Sequence, residues 1–296
     1  MPSSGVSRPA FAIAAEPTSS TVFAVIGDFG TGDRHEAAVA RLVASWHPAF
    51  IVATGDDYYK VAGAKGSEQY LRSIGDFYGP WLADVPSYHR RRVGTAPVNA
   101  FFPVLGNHDY TDAKPGPWAY LTYFNLPGSG FVNSSGNERY YDFTEGPIHF
   151  FMLDSNPEEP DGTSANSVQA HWLQHALASS ESSWNVVVDH HPPYSSCNVH
   201  HSTGFMQWPF AQWGADVVLS GHAHVYERVM RNGIAYMING LGGGPRYGFT
   251  KAKVAGDTVR YSTTWGAQKV TQTGSTLRFE FYSIGGKLVD RFDITR

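Results

Sequence analysis

The segment "TVFAVIGDFG", residues 21–30, joins a run of apolar and β-branched residues directly to Gly27-Asp28. An apolar run of this length that ends in a polar turn is typical of a buried strand leading into a loop. The same pattern recurs in four later segments: "AFIVATGDD" (49–57), "AFFPVLGNHD" (100–109), "WNVVVDHHPPY" (184–194) and "ADVVLSGHAHVYERV" (215–229). The sequence therefore predicts five buried strands, each of which delivers polar side chains at its carboxyl end.

Helical segments lie between these strands. Residues 34–46, 67–82 and 166–180 have apolar residues at helical spacing, and 203–214 predicts a further, broken helix. Residues 138–155 and the last thirty residues predict hairpins. Because strands and helices alternate, we expect an α/β fold, in which ligands bind at the carboxyl ends of the strands.

The composition excludes several classes of function. The chain has 296 residues, of which 42% are hydrophobic and 16% charged, with a formal net charge of −4 and no basic run, so we expect no nucleic-acid partner. No apolar segment approaches the roughly 20 residues that span a bilayer, so we expect no membrane partner. The one cysteine, Cys197, excludes an intrachain disulfide. Nothing in the sequence predicts the oligomeric state.

The first twenty residues differ from the rest of the chain. Residues 1–20 are rich in Ser, Pro and small residues, which predicts a disordered lead before a single domain at 21–296. "PAFAIAAEP" (9–17) resembles the end of a signal peptide but lacks the charged and apolar beginning. The chain therefore has no clear signal peptide.

The polar residues that follow the five strands are of metal-ligating types. They combine carboxylate and amide oxygens, imidazole nitrogens and one phenol, without thiolates, which suits Zn, Fe and Mn better than Ca or Mg. There are too many of them for one tetrahedral zinc ion. They suit two ions about 3.5–4 Å apart, bridged by a carboxylate and able to hold a phosphate. The candidates are Asp28, Asp56, Tyr59, Asn107, His108, Asp109, His190, His222 and His224.

The ordered motifs "GDFG", "GDDYY", "GNHD", "HHP" and "GHAH" resemble those of the calcineurin-like metallophosphoesterases. The tyrosine in "GDDYY" is similar to that of the purple acid phosphatases, in particular their short, tartrate-resistant acid phosphatase-like branch. The resemblance runs from about Val22 to Gly244 and weakens in the last fifty residues. It implies a four-layer αββα sandwich of two mixed β-sheets flanked by helices.

The resemblance also implies the ligands and the ions. Fe(III) would occupy the Tyr59 site, and Fe, Zn or Mn the second site, with Asp56 bridging. His108 would contact the phosphate. The first ion would be held by Asp28, Asp56, Tyr59 and His224, and the second by Asp56, Asn107, His190 and His222.

Two further histidines, His200 and His201, resemble the substrate-facing residues of purple acid phosphatases, which bind phosphate and protonate the leaving group. The spacing is about one residue longer than in those relatives, so which of the two acts is open. The neighbour of the predicted ligand His190, His191, occupies a variable position and is interpreted as a neighbour rather than a ligand.

The implied activity is acid phosphatase-like hydrolysis of phosphate monoesters by a metal-activated hydroxide. A small phosphorylated substrate would be the partner, and inorganic phosphate the product and an inhibitor. The alternatives are a phosphodiesterase or nucleotidase with two Mn or Zn ions on the same fold, and a metal-binding module without turnover. The family resemblance favours a secreted or periplasmic location.

Other residues receive no catalytic role from the sequence. The histidines His149, His171 and His175 are interpreted as structural or surface residues. The role of the loop at 240–248 is open, since its backbone N–H groups or Arg246 could approach a phosphate, or the loop could be a turn. Asp57 is left without a role, and Cys197 is interpreted as a bystander.

Overall fold

The computed structural model describes residues 20–59, 66–86, 94–110 and 116–296. The predicted lead at 1–20 lies, except for Ser20, outside the described residues. The helices are α1 (Arg34–Ser45), α2 (Glu68–Tyr70), α3 (Asp76–Tyr78), α4 (Trp118–Tyr123), α5 (Val168–Ala178) and α6 (Phe210–Trp213). None of the described helices has the length and apolar character needed to cross a bilayer.

Thirteen strands are described, and they form two sheets. The strands are β1 (Ser20–Ile26), β2 (Phe50–Ala53), β3 (Phe101–Pro103), β4 (Tyr141–Glu145), β5 (Ile148–Met152), β6 (Trp184–Val188), β7 (Val217–Ser220), β8 (Tyr226–Arg231), β9 (Ile234–Asn239), β10 (Asp257–Tyr261), β11 (Gly266–Thr273), β12 (Thr276–Ser283) and β13 (Leu288–Thr295). Sheet 1 has the order β13-β12-β11-β1-β2-β3, and sheet 2 the order β10-β8-β9-β7-β6-β5-β4.

Both sheets are mixed, and each has a parallel part. In sheet 1, β1, β2 and β3 run parallel, while β1 also pairs antiparallel with β11. In sheet 2, β5, β6, β7 and β9 run parallel. The carboxyl ends of neighbouring parallel strands lie at one edge of a sheet. The strands that precede the predicted ligands all belong to these parallel parts.

An aromatic core joins the two sheets. The Phe102 ring of β3 stacks on Phe143 of β4 with 3.7 Å between ring centroids. Phe50 of β2 meets the edge of Phe150 in β5, with centroids 5.6 Å apart. Because these rings come from both sheets and are almost fully buried, they fix the distance at which the sheets face each other.

Helices cover the outer faces and complete four layers. On the outer side of sheet 1, Val39 and Val43 of α1 pack into the main core. In sheet 2, Val186 and Val188 face that core, whereas Val187 faces a second core that contains helix α5. This alternation is the period of two expected for a strand that is covered on both faces. The predicted four-layer αββα sandwich is confirmed.

Some local predictions differ from the structure. The segment 67–82 is not one regular helix, because a π-helical stretch, Leu71–Gly75, separates α2 from α3 and a 3₁₀ turn, Gly79–Trp81, follows. Gly75 inside the segment weakens regular helix formation. Strand β10 was not predicted, since its five residues are only partly buried and their sequence carries little apolar alternation.

The Phe50→Ala substitution removes a ring that packs between the two sheets. It is expected to lower the free energy of unfolding by about 3–5 kcal/mol, because it leaves a cavity there. Urea denaturation measures the change. Val132→Ala is the control: Val132 is 83% exposed, so its truncation is expected to change the stability by less than about 0.5 kcal/mol. Equal losses in the two variants would contradict this account of the core.

Candidate metal centre

The predicted ligands meet where the carboxyl ends of the two sheets face each other. Hydrogen bonds tie these ends together: the His190 ring Nδ1 lies 2.8 Å from the Thr54 carbonyl, and the His222 backbone N–H donates to Asp28 Oδ2 at 2.9 Å. Within sheet 1, the Asp28 N–H donates to the Gly55 carbonyl at 3.0 Å. The five strand ends therefore form one continuous site.

A first cluster surrounds the Tyr59 hydroxyl. This oxygen lies 3.0 Å from Asp56 Oδ2, 3.1 Å from His224 Nε2 and 3.5 Å from Asp28 Oδ1. His224 Nε2 is also 3.2 Å from Asp28 Oδ1. All four side chains predicted for the first ion therefore meet around the Tyr59 hydroxyl.

A second cluster surrounds His190 Nε2. It lies 3.1 Å from Asn107 Oδ1 and 3.4 Å from Asp56 Oδ1, and the His190 ring is 5.0 Å from the His222 ring, centroid to centroid. The two oxygens of Asp56 thus face different clusters, as a bridging carboxylate requires. Nitrogen or oxygen atoms of Asp28, Asp56 and His190 lie within 4.8 Å of one another.

These two clusters contain more hydrogen-bond acceptors than donor hydrogens. His190 Nδ1 faces the Thr54 carbonyl and His224 Nδ1 the Pro245 carbonyl, so each Nδ1 carries the proton and each Nε2 has a lone pair. Those lone pairs point at other acceptors, Asn107 Oδ1 and Asp28 Oδ1. A cation between the acceptors removes the conflict, and a carbonyl that orients Nδ1 is the usual support of a metal-binding histidine.

The pKa shifts of the histidines show the influence of the same nearby acceptors. Although burial opposes its charged form, the carboxylates of Asp56 and Asp28 raise the pKa of His190. The pKa of His224 is raised, against its burial, chiefly by Asp28. Both shifts arise from carboxylates that lie close to the ring nitrogens. Burial and the neighbouring His190 lower the pKa of His222, which leaves it as a neutral imidazole, the form that binds metal. The residues fit a two-ion centre.

The backbone is strained where it carries the ligands. Six non-glycine residues in the described ranges have positive φ, and three of them are predicted ligands: Asp28 at 55°, Asp56 at 54° and His222 at 64°. Such conformations cost free energy and persist where the surrounding structure imposes them. Here Gly106 lets the next strand end approach, since a Cβ on it would lie 2.2 Å from the Asp56 nitrogen.

The three candidate substrate-facing histidines are placed differently. His108 packs on Tyr59 with 4.4 Å between ring centroids, and its side chain is 41% exposed. The His200 ring lies 4.0 Å from His222 and 5.4 Å from Tyr247, centroid to centroid. His201 is exposed and has no ring contact with the described residues. The structure therefore brings His108 and His200 to the clusters.

The loop that carries His200 is anchored by Glu227 of β8. The buried carboxylate of Glu227 accepts hydrogen bonds from the Ser195 hydroxyl at 3.0 Å, from the Ser196 N–H at 2.9 Å and from the Ser196 hydroxyl. Cys197, the next residue, is buried and forms a β-bridge with Phe249. Its placement agrees with the interpretation of Cys197 as a bystander.

The glycine loop at 240–248 supports the ligands from behind. The Gly242 N–H donates to the Gly27 carbonyl and the Gly244 N–H to the Asp28 carbonyl, so these groups face the metal-binding turn. The Arg246 guanidinium donates to the carbonyls of residues 262 and 263 and lies over the Trp265 ring. Of the functions left open by the sequence, structural support agrees best with these contacts.

Two acidic residues behind the centre are not ligands. Asp109 accepts from the Gly106 N–H at 2.7 Å and the Tyr70 hydroxyl at 2.8 Å, so it supports the turn. Burial and the charge of Asp56 raise its pKa to about 7. The carboxyl group of Asp57 is buried without a hydrogen-bond partner among the described residues. Burial and the charge of Asp109 raise the pKa of the Asp57 carboxyl well above its usual value.

Comparison with known proteins identifies the family. The profile of the family described as calcineurin-like phosphoesterase matches residues 21–226. The chain belongs to the calcineurin-like phosphoesterase family. Within this family it resembles purple acid phosphatases: purple acid phosphatase 15 of Arabidopsis thaliana is 32% identical over 228 residues, which cover 70% of this chain and 41% of that protein. The chain spans about half, or less, of the length of the curated proteins that it matches.

Solved structures share the phosphoesterase fold. Purple acid phosphatase PPD1 from yellow lupin, Lupinus luteus, superposes with a TM-score of 0.70 at 15% identity, covering 95% of this chain and 55% of that one. GAP50 of Plasmodium, described as an anchor in the inner membrane complex, superposes with a TM-score of 0.68 at 18% identity, covering 93% and 89%. At these identities the likeness concerns the fold alone.

Metal binding is expected to stabilise the protein, because a cation relieves the opposed acceptors. After chelation, addition of Fe, Zn or Mn salts should raise the midpoint of thermal unfolding, by an amount equivalent to about 2.7 kcal/mol when free metal is about 100 times Kd. Asp56→Asn keeps the shape of the side chain but removes the shared charge, so most of this shift should disappear. An equal shift in wild type and Asp56→Asn would contradict the assignment of the site.

Proposed function

We propose that this chain is a binuclear metal phosphatase that hydrolyses phosphate monoesters, with residues 21–296 acting as one catalytic domain. The proposal rests on the position of Asp56. One of its carboxylate oxygens faces the cluster around Tyr59, and the other faces the cluster around His190. A single ion cannot contact both clusters fully, whereas two ions bridged by a carboxylate suit in-line displacement at phosphorus.

The proposed ligands are those implied by the sequence. Asp28, Asp56, Tyr59 and His224 would hold Fe(III), and Asp56, Asn107, His190 and His222 would hold Fe, Zn or Mn. When bound, the ions would supply a hydroxide at neutral or acidic pH and neutralise the phosphoryl oxygens. The backbone carbonyls of Thr54 and Pro245 would keep the Nε2 lone pairs of His190 and His224 directed into the centre.

Histidines beside the two clusters would bind the phosphoryl group and protonate the leaving group. His108, stacked on Tyr59 and partly exposed, is placed to donate a hydrogen bond to a phosphoryl oxygen. His200, whose ring lies against His222, is placed to protonate the leaving group. Inorganic phosphate would leave as product and compete with the substrate. A secreted or periplasmic site of action belongs to the same proposal, by analogy with the family.

The direct test combines elemental analysis with hydrolysis of 4-nitrophenyl phosphate. We expect two metal ions per chain and turnover of the monoester, with slower turnover of bis(4-nitrophenyl) phosphate. Preference for the diester would favour a phosphodiesterase, and two bound ions without any hydrolysis would favour a metal-binding module. His171→Ala, on helix α5 and outside both clusters, serves as the control for handling and folding.

The identity of the first ion is tested with Tyr59→Phe. A tyrosinate bound to Fe(III) gives a visible charge-transfer band, which removal of the hydroxyl should abolish while the metal content stays measurable. Tyr58→Phe is the matched control, since Tyr58 is buried against Tyr70 instead. A band that survives Tyr59→Phe, or wild-type protein that loads iron without any band, would contradict Fe(III) at this position.

The proton donor is tested by comparing two adjacent histidines. His200→Ala should lower kcat about 10²–10⁴-fold for an alkyl phosphate, whose leaving group needs a proton. The loss should be smaller for 4-nitrophenyl phosphate, whose leaving group is a weaker base. His201→Ala should leave both rates nearly unchanged, because His201 is exposed and, unlike His200, has no ring contact with the clusters in the described residues. The reverse pattern would assign the role to His201.

A further inference from the structure

His191 lies in the second cluster although its position gives it no predicted role. Its ring is 4.3 Å from the His222 ring and 5.0 Å from the His190 ring, centroid to centroid. A ring nitrogen of each of these three histidines lies within 4.8 Å of the other two. The His191 ring is therefore at least as close to the rings of His190 and His222 as those two rings are to each other.

The hydroxyl of Ser155 determines which His191 nitrogen carries the proton. Ser155 Oγ accepts the backbone N–H groups of His190, at 3.3 Å, and His191, at 2.9 Å. A hydroxyl oxygen has two lone pairs and one hydrogen, so both lone pairs are in use. The remaining contact, 2.9 Å to His191 Nδ1, must then use the serine hydrogen. His191 Nδ1 is an acceptor, and the ring proton lies on Nε2.

This tautomer is opposite to that of the predicted ligands. His190 and His224 have Nδ1–H bonded to carbonyls and present an Nε2 lone pair to the centre. His191 instead presents Nε2–H, which cannot bind a cation but can donate a hydrogen bond. Nε2 makes no hydrogen bond with the described residues and is not one of their fully buried unpaired atoms, so it keeps some accessible surface.

We propose that His191 is a fixed hydrogen-bond donor for a phosphoryl oxygen at the second-ion side, oriented by Ser155. The inference rests on the proposed phosphatase function. The ring sits among His190, His222 and Phe205, which leaves it little freedom to turn. Together with His108 across the site, it would place donors on both sides of the phosphate. A donor that is already oriented loses no free energy to reorganisation when charge develops on that oxygen.

The test measures binding of inorganic phosphate by calorimetry and metal content by elemental analysis, after loading with two Zn ions. His191→Met fills a similar volume without a donor, and we expect two bound ions but phosphate affinity weaker by about tenfold or more. His191→Gln restores an N–H near the position of Nε2 and should bind phosphate within about threefold of wild type. His171→Met, on the exposed side of α5, is the matched control.

A second measurement is independent of phosphate. The ¹⁵N chemical shifts of the histidine rings, assigned through the His191 variants, report the tautomer; we expect Nε2–H for His191, and a mixture of tautomers after Ser155→Ala. Loss of one metal ion in His191→Met would make His191 a ligand and overturn the proposal, as would unchanged phosphate affinity or an Nδ1–H tautomer. Failure of wild type to bind two ions or phosphate would instead refute the phosphatase function, and the tautomer would still be decided by the shifts.

Discussion

Around Asp56 the protein packs carboxylate, amide and imidazole acceptors closer together than its own hydrogen atoms can satisfy. His190 Nε2 faces Asn107 Oδ1, and His224 Nε2 faces Asp28 Oδ1, each at little more than 3 Å. Buried acceptors without donors are costly, so the arrangement is stable only with additional positive charge. The carboxylates of this centre raise the pKa of His190 and His224. The fold provides the geometry, and the deficit of donor hydrogens favours a cation at the centre.

Much of the surrounding structure serves to maintain this packing. Three of the proposed ligands adopt left-handed backbone conformations, and the Asp57 carboxyl is buried beside the centre without a hydrogen-bond partner among the described residues. Each of these features lowers the stability of the protein, and the aromatic core between the sheets offsets the loss. Backbone strain at the proposed ligands is typical of a functional site, where it is retained for chemistry.

The strand pattern predicted an α/β fold and the residues that the structure gathers, whereas the four layers were implied by the family resemblance of the motifs. Asp28, Asp56, Asn107, His190 and His222 each follow an apolar run, which is a strong local signal. Other parts depend on contacts that leave no such signal. The carbonyls of Thr54 and Pro245 are backbone atoms that any residue could supply. The pairing of Ser155 with His191 joins distant segments, and the loop that carries His200 and His201 is anchored by Glu227 on another strand. The partly buried strand β10 and the π-helical stretch were also not predicted from the sequence.

The pairing of β1 with β11 has a consequence for the order in which the protein assembles. β1 carries Asp28 at its end and lies inside sheet 1, with β2 on one side and β11 on the other. During synthesis β1 is the first of these strands to appear, and β11 is made only after all the predicted ligands. The edge of β1 must therefore stay unpaired until nearly the whole chain has emerged, and such distant pairings form slowly. Asp28, the first of the proposed ligands in the chain, therefore lies on a strand whose pairing is complete only when nearly the whole chain has been made.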